Sequence, residues 1–150
     1  MKKLILLTLL IYIAIPSQSF GQEQIKKDRA EAIYLGHKAL VETQNFKFVA
    51  DWVFNNDTRK EVPGDLNTIR INTSEVKGLL ATVDSDRKAI AFKGNITNYS
   101  AQFNDDNQEI FIGFQVDNYS VSIEVKSNRT VFLSLNTTNG ETIKYKGSIN

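Results

Sequence analysis

The spacing of apolar residues changes near Asn45, and this change constrains the fold more than any other feature of the chain. Before Asn45, apolar side chains recur every three or four residues and define one face of a helix predicted over residues 24–43. The residues of this face are Ala30, Ile33, Tyr34, His37, Leu40 and Val41. After Asn45, apolar and polar residues alternate, which is the period of a β-strand with one buried face. These two patterns in this order predict an α+β domain in which a helix covers one side of a sheet.

The alternation continues to the end of the chain and is divided by turn sequences. Residues 117–118, 127–128 and 139–140 are typical of tight hairpin turns, whereas residues 55–65 read as a polar loop. A sheet of eight or nine strands tends to curl, so we expect one N-terminal helix packed on a curled, mostly antiparallel meander. The strands are predicted near residues 46–54, 66–72, 75–83, 88–93, 96–103, 110–116, 119–125, 131–135 and 143–149.

Residues 1–21 have the layout of a secretory signal peptide. Lys2 and Lys3 precede an apolar run over residues 4–15, and small residues follow that run. The apolar run is shorter than the roughly 20 residues that a membrane span needs. A removable signal is therefore favoured over a transmembrane anchor.

We expect cleavage after Gly21, with Ser19 as the alternative, which leaves a single domain over residues 22–150 and no transmembrane span. Removal of residues 1–21 takes away two of the 18 basic residues and none of the 17 acidic ones, so the formal charge becomes −1. That balance lacks the basic footprint of a nucleic-acid-binding protein. The chain has no cysteine, which excludes a lipoprotein anchor and thiol chemistry. The prediction is an exported protein of the periplasm or the extracellular space.

No arrangement of residues predicts a catalytic, cofactor or metal site. His37 is the only histidine and lies on the apolar helix face, where packing is preferred to a role as general base or metal ligand. Asp84 and Asp86 begin like a calcium loop, but Ala89 and Asn95 stand where that loop needs Gly and Glu. We expect no cofactor and no metal.

Three aromatic residues are the candidates for ligand contact. Phe111 and Phe132 occupy the otherwise polar positions of their strands, so they point away from the main apolar face. Either the sheet folds back over them or they mark an exposed patch. Trp52, the only tryptophan, has the same parity as Phe46 and Phe48, which predicts a place in the core. Exposed aromatic side chains can stack on sugars or bind apolar surfaces; the sequence names no partner and leaves an envelope protein, a glycan and a lipid as the open alternatives.

These observations lead to three hypotheses about function. The first is a non-enzymatic binding or accessory domain, which predicts an apolar groove between helix and sheet or an apolar outer patch near Phe111 and Phe132. The second is a carboxylate-dependent hydrolase, which needs two acids in one cleft and a raised pKa on one of them. The third is partner binding by strand addition at an unpaired sheet edge.

Several segments resemble domain-of-unknown-function family 4251. They are LVETQNFKFVA (residues 40–50), DLN (65–67), VKG (76–78), FKGNITNY (92–99), LSLN (133–136) and IKYKGSI (143–149). The resemblance implies an exported protein of Bacteroidota-type bacteria with a helix and an antiparallel sheet, and it implies no activity. Residues 79–88 depart from the family pattern, which is often longer and rich in Pro, Tyr and Gly, so no binding role is carried over to that stretch.

Overall fold

The structure, a computed structural model, describes residues 17–55, 57–83 and 89–150, with side chains from Gln22 onward. Within these ranges one helix precedes ten strands. The elements are α1 (Ser17–Glu42), β1 (Asn45–Phe54), β2 (Arg59–Glu61), β3 (Thr68–Asn72), β4 (Glu75–Ala81), β5 (Ala89–Asn95), β6 (Thr97–Asn104), β7 (Glu109–Val116), β8 (Tyr119–Val125), β9 (Val131–Thr137) and β10 (Thr142–Ile149). The predicted α+β class, with one helix and a curled antiparallel sheet, is confirmed.

The chain divides into two units, Met1–Ala32 and Ile33–Asn150. In the first unit, the described part of α1 is solvent-exposed, and Gln24 Nε2 donates a hydrogen bond to Asp28 Oδ1 at 2.8 Å, one helical turn away. No helix in the described part of the chain combines the length and apolarity that a membrane span requires. The predicted signal peptide lies mostly outside the described residues and stays a prediction.

The second unit contains the last turns of α1 and the whole sheet. Tyr34 and Val41 are buried and Leu40 is half-buried against the core, as the helical spacing predicted. Tyr99 Oη donates to the Val41 carbonyl at 3.4 Å, which ties the C-terminal end of the helix to β6. The apolar face of this part of α1 therefore rests on the sheet.

The sheet has the strand order β5-β4-β3-β1-β10-β9-β8-β7-β6, with β2 paired to β1, and every pairing is antiparallel. Its two end strands, β5 and β6, are successive halves of one extended stretch that is interrupted only at Ile96. The rings of Phe92 on β5 and Tyr119 at the start of β8 lie 5.6 Å apart, and β5 also approaches β7, so the β5 end of the sheet curls back towards the strands next to its other end. The result is a nearly closed, barrel-like sheet whose inward side chains form one continuous core.

Asn98 bends the stretch that closes the sheet. The pairing register of β6 with β7 shifts between Thr97 and Ser100, and Asn98 within this irregularity has φ 53°. Asn tolerates left-handed backbone better than most residues, and such bulges increase strand bending.

A second irregularity, in β1, overturns the predicted position of Trp52. The register between β1 and β10 shifts between Ala50 and Trp52, so Asp51 is an extra residue that reverses the parity of the rest of the strand. Phe48 and Val53 are fully buried, whereas Trp52 is half-buried on the outer face. The prediction that Trp52 shares the core face of Phe48 is therefore wrong.

The strand count and one boundary also differ from the prediction. Arg59–Glu61 forms β2 within the stretch predicted as a polar loop. The prediction missed this strand because its three residues show no alternation of apolar and polar side chains. Helix α1 begins at Ser17, ahead of the predicted start near residue 24.

Candidate functional site

The three aromatic candidates lie in one cross-strand row on the outer face of the sheet. Register pairs Trp52 with Lys146, Lys146 with Phe132, Phe132 with Glu124, and Glu124 with Phe111. Directly paired residues of antiparallel strands point to the same face, so these five side chains stand side by side across five strands. We call them the outer row. Neighbouring strands are about 4.8 Å apart, which separates successive aromatics of the row by roughly 10 Å.

A groove opens at the Trp52 end of the outer row, with a volume of about 580 Å³. Its floor consists of the aromatic side chains Trp52, Phe54 and Phe132. The guanidinium of Arg59, on β2, lies 3.9 Å from the centroid of the Trp52 ring and covers one face of the indole. The groove is also lined by Asn55, Asp57, Thr58, Asn128, Thr130 and Lys146. The site therefore combines aromatic faces with polar and cationic groups, as small-ligand sites commonly do.

The Phe111 end of the outer row is electrostatically balanced. Phe111 is 40% exposed, and Lys126 Nζ lies 5.8 Å from its ring centroid. The same ammonium donates to Glu124 Oε1 at 2.5 Å and to Glu109 Oε1 at 3.3 Å. The hydrogen bond to Glu124, followed by the one to Glu109, raises the pKa of Lys126 above its ordinary value, against an opposing effect of desolvation. The positive charge of Lys126 is thus paired with two carboxylates and is not available to a ligand.

His37 lies outside the groove, at the contact between α1 and the β8–β9 turn. It is half-buried near Ile33 and Arg129, beside a cavity of only about 10 Å³. Burial, and then the charge of Arg129, lower the pKa of His37. A neutral imidazole without room for a substrate fits the packing role that the sequence favoured.

The β6–β7 turn is anchored to α1 by a polar cluster. Asp105 Oδ1 accepts hydrogen bonds from Tyr34 Oη at 2.5 Å and from Lys38 Nζ at 2.8 Å. The hydrogen bond from Lys38, then that from Tyr34, lower the pKa of Asp105. Burial and the bond to Asp105 raise the pKa of Tyr34 to about 12. This arrangement fixes the helix to the turn and leaves no acid with the raised pKa of a proton donor.

The fold does not bring the described metal-ligand and acid–base candidates together in one site. Across residues 17–55, 57–83 and 89–150, no three His, Asp or Glu side chains cluster as metal ligands would. Asp84 and Asp86 lie outside the described residues. The pKa of Glu75 is lowered by a hydrogen bond from Lys77, the same direction as for Asp105.

Sequence reasoning missed the cationic part of the groove. Alternation along β10 places Lys144 and Lys146 outward, but the sequence does not indicate that β10 pairs with β1 and so brings Lys146 beside Trp52. Arg59 was assigned to a loop. Residues 59–61 read Arg-Lys-Glu, without the apolar alternation of a half-buried strand, so the sequence carries no signal that would have placed Arg59 on a strand.

The fold and site define a class: a helix followed by a nearly closed antiparallel sheet that carries an aromatic outer face. The chain belongs to the domain-of-unknown-function family DUF4251, whose family model matches residues 28–149. The resemblance found in the sequence is thereby confirmed.

A similar solved structure has the same family description. It is the crystal structure of a DUF4251 family protein from Bacteroides eggerthii DSM 20697, with a TM-score of 0.64 and 16% sequence identity. The match covers 77% of this chain and 85% of that chain, and at this identity it shows the shared fold. Among curated proteins, the comparison found no match.

Proposed function

We propose that this protein is an exported, non-enzymatic binding or accessory domain of the periplasm or cell envelope, and that the outer row with its groove is the binding surface. The observation that carries the proposal is the position of Trp52, Phe132 and Phe111 on one outward face. Aromatic side chains are costly to leave in water and are enriched where proteins meet ligands. The core is complete without these three residues, so packing gives no reason for them.

The two alternative functions have less support. A hydrolase needs converging carboxylates with a raised pKa, whereas Glu75 and Asp105 shift downward. Strand addition needs an accessible edge, but on the β5 edge Phe92 packs against Tyr119 of β8, so this edge lies against other strands of the same sheet. The short strand β2 is charged and is followed by Pro63, which makes it a poor template for pairing.

The binding surface can be tested with a triple variant of the outer row, Trp52→Thr, Phe111→Thr and Phe132→Thr. Thr keeps a high strand propensity while it removes the aromatic faces. The protein made from the full chain is assayed against a panel of neutral and acidic oligosaccharides, vesicles of phosphatidylethanolamine and phosphatidylglycerol, and a solubilised envelope fraction. We expect at least one partner to bind the native protein and to lose roughly tenfold or more in affinity for the variant, since central aromatics dominate interface energies.

The matched control removes exposed apolar surface elsewhere. Leu66→Thr and Leu79→Thr change side chains that are 68% and 49% exposed and do not belong to the outer row. This variant should bind like the native protein. A partner that binds the outer-row variant at full strength would contradict the assignment of the surface, and the absence of any partner in the panel would contradict the binding function.

A further inference from the structure

Two cations give the groove a positive character that the rest of the outer row lacks. Lys146 stands between Trp52 and Phe132 in the register and forms no ion pair with a described residue. Arg59 holds its charge over the indole. Asp57 is the carboxylate of the lining, Glu61 on β2 pairs with Trp52 in the register, and Glu124 on β8 pairs with Phe132.

The next row of outward side chains carries a further cation outside the groove. Lys144 pairs with Phe54 on β1 and with Ser134 on β9, and it lines a neighbouring pocket together with Asp57 and Glu141. The groove itself is therefore lined by two cations, Arg59 and Lys146, and by one carboxylate, Asp57. At the other end of the outer row, by contrast, Lys126 is matched by Glu109 and Glu124. The excess of positive charge is therefore local to the groove.

The polar lining is suited to donate hydrogen bonds to a ligand. Asn55 Oδ1 accepts from the backbone N–H groups of Asp57 and Thr58 at 3.0 and 2.8 Å, and Asn128 Oδ1 accepts from Thr130 N at 3.0 Å. Because each amide oxygen serves its own turn, the NH₂ groups are the parts that can donate to an oxygen atom of a ligand. Amide donors, threonine hydroxyls and an ammonium in one open groove match a ligand with many oxygen atoms.

We propose that this groove binds an acidic oligosaccharide, a chain of pyranose rings that bear carboxylates. The proposal rests on the binding function argued above and names the ligand class of that site. The apolar C–H face of a pyranose ring stacks on Phe132 and on the indole face that Arg59 leaves uncovered, where the negative face of the aromatic ring meets weakly positive hydrogens. The sugar carboxylate pairs with Lys146, and the ring hydroxyls accept from Asn55 and Asn128.

A saccharide fits better than an acidic peptide or a lipid. The groove is open to solvent and is not an enclosed apolar cavity, so an acyl chain bound there would remain partly in water. An acidic peptide would use the cations but leave the aromatic faces and amide donors unmatched. An acidic sugar matches all three features of the groove: its ring face can stack on the aromatic side chains, its hydroxyls can accept from the amide donors, and its carboxylate can pair with a cation.

The test is a titration of the unique Trp52 fluorescence in the protein made from the full chain, checked by calorimetry. The probes are the tetramers of galacturonic acid and mannuronic acid, the methyl-esterified galacturonic tetramer as a neutral counterpart, and tetraglutamate as an anion without sugar rings. We expect the acid tetramers to bind, and we expect the affinities of the neutral sugar and of the peptide to be lower by at least roughly tenfold. Added salt should weaken the acid tetramers and leave the neutral one unchanged.

Two variants and a control locate the interaction. Lys146→Gln should lower the affinity for acid tetramers by roughly tenfold without changing the neutral one, the effect of losing one charge-assisted hydrogen bond. Phe132→Thr should weaken both. Lys93→Gln, which removes an exposed cation on β5, should change neither, and circular dichroism establishes that each variant is folded.

Each adverse result separates this proposal from the proposed function. Equal binding of acid and neutral tetramers, or equal binding of tetraglutamate, would overturn the acidic-sugar assignment while the binding surface stands. The same holds if no acid tetramer binds at millimolar concentration but another member of the wider panel binds through the outer row. If no member of either panel binds, both proposals are wrong.

Discussion

Tyr34 and Asp105 show how single polar contacts fix the helix to the sheet. Tyr34 is buried against the core and donates to Asp105, whose side chain is 66% exposed and also pairs with Lys38. The phenol therefore links an apolar environment to a solvated carboxylate. Its protonated form is the one that both the burial and the hydrogen bond favour.

This preference predicts a loss of stability at alkaline pH. The pKa of Tyr34 is raised from 10.0 to about 12, so the folded state holds the proton more tightly than the unfolded state. The contribution to stability is complete below pH 10 and is lost as the pH rises towards 12. Since solvent around Asp105 screens part of the effect, we expect the free energy of unfolding to fall by about 1–2 kcal/mol more in the native protein than in Tyr34→Phe over this range.

The measurement is urea denaturation of both proteins between pH 9 and pH 12. Tyr145, whose pKa burial also raises, is present in both proteins, so the difference between the two curves isolates Tyr34. Parallel curves for native protein and Tyr34→Phe would show that the contact with Asp105 does not persist in solution.

At the scale of elements, the pairing of β1 with β10 joins the first and last strands of the chain in the middle of the sheet and determines the position of the groove. Within β7, β8 and β9 the alternation of the sequence predicted the buried faces, because a strand that is paired throughout keeps its period of two. The extra residue in β1 could not be predicted, since its position depends on how β1 meets a partner that is almost 100 residues away. The sequence therefore correctly predicted that Phe111 and Phe132 point outward, because β7 and β9 pair regularly with β8. It wrongly predicted that Trp52 points inward, because Trp52 follows the extra residue of β1.

Gly147 on β10 tests this pairing. A Cβ at Gly147 would lie 1.8 Å from the Val49 carbonyl oxygen and 3.0 Å from the Ala50 Cα, so the two backbones are too close for a side chain. Gly147→Ala should lower the free energy of unfolding by about 3 kcal/mol, at the upper end of the usual cost of overpacking. The measurement is chemical denaturation followed by far-ultraviolet circular dichroism.

Gly36, in α1, is the matched control. A Cβ there would have no atom within 4 Å, and helix propensity alone then makes Gly36→Ala stabilising by about 0.5–1 kcal/mol. A Gly147→Ala protein as stable as the native one would mean that β10 does not pair with β1 as described.

At the scale of the whole molecule, the proposed role in the envelope depends on export. The charged start, apolar run and small residues of the first 21 positions predict a mature N-terminus at Gln22, or at Phe20 for the alternative cut. Intact-mass and N-terminal sequence analysis of the protein from a Bacteroides host should find one of these two residues first, in the periplasmic or extracellular fraction.

A variant with a charge in the apolar run provides the control for export. Leu9→Arg interrupts the run and should leave uncleaved precursor in the cytoplasm, because the signal then loses its apolar segment. Native protein found in the cytoplasm with Met1 still present would contradict the proposed location, although it would not affect the fold or the outer row.

The proposals about function share one premise: Trp52 stands on the outer face beside cations. Trp52 is the only tryptophan, so its fluorescence reports on this position alone. The decisive measurement compares quenching by iodide and by caesium in the native protein with that in Trp52→Phe/Phe46→Trp, which moves the indole to a position that is 2% exposed. We predict efficient quenching of the native protein, stronger with the anion because of Arg59 and Lys146, and weak quenching of the double variant. If the native emission is as blue-shifted and as protected from quenching as that of the double variant, Trp52 lies in the core. That result would contradict the proposed binding surface.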